Sequence, residues 1–136
     1  MIELLKCITK NNICHKEKPL QSADIIKTQK SLILQGCPFL PVDFLSFLKH
    51  FNGVKASDSA ILGIAPLEDD SLNIVEFNAR FNFAENKAIL GYDDSTFLIY
   101  DNTDNRYKLV DRYDMIVLDV FSDNELVYAI NSILHL

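Results

Sequence analysis

At 136 residues, 49% of them hydrophobic, the chain is long enough to bury roughly two-thirds of its unfolded surface as one domain spanning 1–136. Only four Gly and four Pro exclude a low-complexity chain, and no apolar run reaches the ~18 residues of a membrane span. The net charge of −6 is uneven: residues 1–55 carry eight Lys against four acids, a balance of +4, and residues 56–136 carry five basic and fifteen acidic residues, a balance of −10. An acidic C-terminal part disfavours nucleic acid and lipid headgroups and attracts basic partners. Glu3 stands where a signal peptide needs a basic segment, so a cytoplasmic protein is expected. Cys7, Cys14 and Cys37 are odd in number, widely spaced and without a CxxC pair, which predicts reduced thiols.

In chain order, Leu4, Leu5, Ile8 and Ile13 suggest a first amphipathic segment. Lys6, Lys10, Lys16 and Lys18 read as a solvated face. Ser22 is a candidate N-cap for a helix with Ile25, Ile26, Leu32 and Ile33 on one side, closed by Gly36. Pro41 suits the first turn of a short helix, and Asp43 complements its N-terminal dipole. Phe44, Phe47, Leu48 and Phe51 form its apolar face, and Asn52-Gly53 stops it.

After Gly53 the period changes. "SAILGIAP" (59–66) reads as a buried strand, and 71–81 as a helix with Leu72, Val75 and Ala79 in line. Strand-like runs follow at 88–94, 96–101 and 106–112, the last two joined by the turn tetrapeptide Asn102 to Asn105. The run 115–121 fits a strand or a linker. Ser122 and Glu125 have capping-box spacing before a terminal helix with Leu126, Ile130, Ile133 and Leu134 on its face. Helices, an antiparallel meander and a closing helix make an α+β domain.

Chemistry-bearing motifs are scarce. His15, His50 and His135 are scattered, and Cys14-His15 with Cys7 lacks a fourth zinc ligand. Cys37 has no basic neighbour to activate it, and no phosphate loop, dinucleotide fingerprint or nucleophile elbow occurs. "DNTDN" (101–105) resembles the start of a calcium loop but has Arg106 where that loop needs glycine. Asp93 and Asp94, adjacent on a strand, would face opposite sides and so could not address one substrate. No catalytic residue, metal ligand or cofactor is expected.

The run from Leu40 through Pro41, Asp43, Phe44, Phe47 and Leu48 to Asn52 and Gly53 resembles the signature of the SUKH superfamily, which includes the fungal cell-wall-assembly regulators. A segment with Ile74, Val75 and Asn78, then "ILGYDDS", "LIYD" and "RYKLVDR" and a terminal helix, continues the likeness over about residues 22–134. The resemblance implies a mostly antiparallel sheet flanked by helices. It also implies the role of many bacterial members, immunity proteins that bind and neutralise a polymorphic toxin, often a nuclease, inside the producing cell. The signature residues themselves cap and pack a helix, so they specify fold. On that reading the partner is a basic toxin domain. The expected contacts are Glu68, Asp69, Asp70, Asp93, Asp94, Asp101 and Asp104, with Tyr92 and Tyr100 as exposed aromatic anchors. The alternative is an intracellular adaptor or regulatory scaffold on the same fold, without a toxin partner.

Overall fold

The computed structural model describes residues 1–11, 14–81 and 85–135; Ile13, expected on the first helix, lies outside them. The helices are α1 (Ile2–Lys10), α2 (Ile25–Leu34), α3 (Val42–Leu48), α4 (Ile74–Phe81) and α5 (Leu126–Leu134). The strands are β1 (His15–Lys16), β2 (Val54–Lys55), β3 (Ala60–Ile61), β4 (Lys87–Tyr92), β5 (Thr96–Asp101), β6 (Arg106–Asp111) and β7 (Val117–Phe121). They form one sheet whose spatial order is their chain order, with every pair antiparallel. The fold is α+β. No helix among the described residues is long and apolar enough to cross a membrane.

β5 explains the centre of the sheet. Its residues "FLIYD" are buried on both faces, so the alternation of a half-exposed strand is replaced by a continuous apolar run. The β5–β6 hairpin turns through Asn102 to Asn105 as its composition predicts, with Asp101 opposite Arg106 and Tyr100 opposite Tyr107. α4 covers the face that carries Tyr92 and Phe97: Phe77 stacks on Tyr92 at 5.1 Å, and Phe81 meets the Phe97 edge at 5.1 Å. α5 packs across β3, β5, β6 and β7.

Two asparagines join layers through the backbone. Asn78 of α4 donates to the Ile89 carbonyl at 3.0 Å and accepts its N–H at 2.8 Å, fastening the helix to β4. Asn52 does the same to Ile64, at 2.7 and 2.8 Å. The expectation for Asn52 is thereby corrected. α3 ends at Leu48, four residues earlier, and the buried amide of Asn52 is a substitute ladder rung rather than a helix stop. Gly53 does adopt a positive φ of 106°.

Other expectations shift in detail. The helix over 71–81 starts only at Ile74, because the Asn73 side chain accepts the N–H groups of Val75 and Glu76. Its buried face is Ile74, Phe77 and Asn78, one position out of phase with Leu72, Val75 and Ala79. Residues 22–24 form a 3-10 turn without a side-chain cap, and on α2 the buried positions are Thr28 and Leu32, leaving Ile26 and Ile33 exposed. Gly36 closes α2 at φ 89°, as expected. The capping box at 122–125 is half-made: Glu125 accepts the Ser122 N–H at 2.8 Å, while the Ser122 hydroxyl turns to Asn124. Lys16 is no solvated face residue, because its ammonium donates to the carbonyls of Ile8, Thr9 and Asn11 and ends α1.

Candidate functional site

The residues expected to meet a partner fall in three separate places. Glu68, Asp69 and Asp70 lie between β3 and α4. Glu68 and Asp69 direct their backbone N–H groups at the buried Glu17 carboxylate, at 2.7 and 3.1 Å. The Ser71 hydroxyl and N–H hold the Asp69 carboxyl below its ordinary range. His15 Nε2 also meets Glu17 Oε2, and the ligand-type atoms of His15, Glu17 and Glu68 lie within 4.8 Å of one another. The two N–H groups and the imidazole already engage both Glu17 oxygens.

Asp93 and Asp94 sit in the β4–β5 turn, not on a strand, so the opposite-faces argument does not apply to them. Asp93 is buried. Burial opposes its charge, but the Thr96 hydroxyl and the N–H groups of Ser95 and Thr96 win and lower the carboxyl. His135 closes its other oxygen at 3.0 Å. Asp94 is exposed. Asp101 and Asp104 belong to the β5–β6 turn, at the far end of β5, roughly 17 Å away at ~3.3 Å per residue. Asp101 is 3% exposed; Lys108 pairs with it at 2.9 Å and with Asp104 at 2.8 Å.

The aromatic anchors are corrected. Tyr100 is 8% exposed, and Tyr92 is half-buried on Phe77 with its hydroxyl accepting from Lys55 at 2.9 Å. Both rings serve the core first. Asp93 and Asp101 likewise organise turns rather than face solvent.

A different arrangement assembles around Tyr100. A groove of about 360 Å³ is lined by Pro41, Val42 and Asp43 at the start of α3, Tyr100 and Tyr107 on the β5–β6 hairpin, Asn105 in its turn, and Asp123 and Asn124 before α5. The four-residue turn sets Tyr100 beside Tyr107, with ring centroids 5.6 Å apart. Asn105 takes the turn's left-handed position at φ 56° and accepts the Tyr100 hydroxyl at 2.9 Å.

Its electrostatics are one-signed. Burial first, then the carboxylates of Asp43 and Asp123, push the Tyr107 phenol well above its usual range. Burial, then Asp123, Asp104 and Asp101, push Tyr100 up as well. Both phenols therefore remain neutral at physiological pH. Asp43 and Asp123 are exposed, and among the described residues neither is in an ion pair. Such a groove can take a Lys or Arg side chain, its stem along Pro41 and Val42 and its cation between the two carboxylates.

Sequence reasoning missed Asp43, Tyr107 and Asp123 as a set. The hairpin spacing does pair Tyr100 with Tyr107, but nothing in the sequence joins Asp43 to Asp123, which are eighty residues apart. No protein-family model and no curated protein matches the chain.

Proposed function

We propose that the chain is a SUKH-type immunity protein that neutralises a basic toxin domain by stoichiometric binding. The groove between Asp43, Asp123 and the tyrosine pair is the observation that carries this reading, since two carboxylates without an ion-pair partner among the described residues, beside neutral phenols, suit a cationic side chain of a partner. The exposed Asp104 adds to the same field. Long-range attraction of this sign speeds association with a phosphate-binding protein, which must itself be basic.

The test is co-expression with a basic toxin domain encoded beside this chain, scoring growth and isolating the complex. Rescue with a one-to-one complex that weakens as salt rises is the expected result. The double variant Asp43→Asn/Asp123→Lys is expected to weaken the complex on the order of 100-fold, whereas Asp58→Lys, in the β2–β3 turn, leaves it unchanged. Neither rescue nor complex would overturn neutralisation and leave the adaptor reading of the same fold.

A further inference from the structure

The 3-10 turn at residues 22–24 and the helix α2 that continues it carry polar side chains at Asp24, Lys27, Thr28 and Ser31. Their i, i+3, i+4, i+7 spacing sets them along one face. On a surface helix such a stripe normally faces water. Here it walls a hollow of about 390 Å³, completed by Ala65 and Pro66 and by Asn73 and Val75 at the start of α4. Lys27 is exposed at the rim, Asp24 and Ser31 are half-buried, and Thr28 lies deepest, 6% exposed.

The polar groups of this hollow are unused. Among the described residues the Thr28 hydroxyl has no hydrogen-bond partner, although every side-chain oxygen sealed from solvent has one. Its oxygen therefore opens onto the hollow rather than into the core. The Ser31 hydroxyl is likewise without a partner among the described residues. Asp24 and Lys27 stand one turn apart, yet among the described residues neither is in an ion pair, with the other or with any third side chain. The Asn73 side-chain oxygen accepts the N–H groups of Val75 and Glu76, which leaves its amide NH2 to donate. The remaining walls, Ala65, Pro66 and Val75, are apolar.

We propose that this hollow binds a small zwitterion of the α-amino-acid class. Its ammonium pairs with Asp24, its carboxylate meets Lys27 and the two hydroxyls, and its side chain lies along Pro66 and Val75. Asp24 disfavours a phosphate or a dicarboxylate, whose charge is all of one sign. No aromatic ring lines the hollow, so a sugar or a nucleobase would find no platform on which to stack. A simple cation or anion would leave one charged wall residue unmatched, whereas opposite charges carried on one small molecule satisfy both. The volume agrees, since small-molecule pockets begin at about 300 Å³. None of these residues lines the Asp43–Asp123 groove, so the site is independent of the toxin reading.

Amide NMR spectra of the full chain, titrated in turn with each of the common α-amino acids at millimolar concentration, test it. L-alanine and L-valine, which suit the apolar walls, are expected to shift the amides of Asp24 to Ser31 and Asn73 to Val75 saturably. Methylammonium acetate, which supplies the same charges unlinked, is expected not to. Lys27→Met, at an exposed position where the fold is not at stake, should raise the dissociation constant on the order of 10-fold. Thr28→Val, which removes a hydrogen bond to a charged group, should do the same. Lys30→Met, exposed on α2 but outside the hollow, should change nothing. The absence of saturable shifts with every amino acid overturns the site. So do shifts confined to other residues, equal shifts from methylammonium acetate, or wild-type binding by both Lys27→Met and Thr28→Val.

Discussion

Replacing Asn52 by alanine is expected to lower the unfolding free energy by about 3 kcal/mol, because both hydrogen bonds to Ile64 disappear together. Ile64 is buried, and among the described residues the Asn52 side chain partners both its N–H and its carbonyl; an unmet buried group costs about 1–3 kcal/mol. Gly63 shows how closely the two segments approach: a Cβ there would lie 2.3 Å from the Asn52 carbonyl oxygen. Rearrangement cannot easily supply a substitute partner in so tight a contact. Asn52→Asp should fare no better, since it keeps an acceptor for the N–H but turns a carboxylate toward the Ile64 carbonyl. Urea denaturation decides the matter, and a loss below about 1 kcal/mol with an unchanged slope would show that water replaces the amide.

The second large effect concerns acid stability. Burial opposes the charge of Asp101, yet the Thr103 hydroxyl, Lys108, the Thr103 N–H and Lys87 together hold its carboxyl at about 2, against 3.8 ordinarily. A carboxyl depressed on folding stabilises the native state above its unfolded value and ceases to do so as pH falls toward its folded value. The contribution, about 2 kcal/mol, is therefore complete above roughly pH 4–5 and is lost between there and about 2. Asp101→Asn should remove it at neutral pH and flatten the acid limb of the stability curve. Denaturation of both proteins at neutral and acid pH measures this directly. A difference between them that stayed constant down to about pH 2 would contradict the assigned role.

The two effects differ in how far they could be anticipated. Asp101 opens a turn of Asn, Thr, Asp and Asn, and side chains of that kind bond the backbone two residues on; its turn role was legible, its burial beside Lys108 was not. Asn52 looked like a helix terminator because Asn-Gly usually is one. Its contact with Ile64 arises only when α3 and the β3 segment meet. The same limit explains the phase error on α4. Periodicity favoured Leu72, Val75 and Ala79, but the Asn73 cap moved the start to Ile74 and turned Phe77 toward Tyr92 and Phe97. The continuous apolar run of β5 already signals a strand covered on both faces, and with it a buried Tyr100; that Tyr92 lies against Phe77 depends on where α4 packs.

By itself the sequence determined the α+β class, the β5–β6 hairpin and its register, the Gly36 helix end and the apolar faces of α3 and α5, because each depends on residues within one or two turns of one another. Tertiary structure alone decided that β7 is an edge, that Asp93 and Asp101 are buried, and that Asp43, Tyr107 and Asp123 share a groove. These are long-range encounters, settled by which faces pack together, and a local pattern of side chains carries no record of the neighbour it will meet.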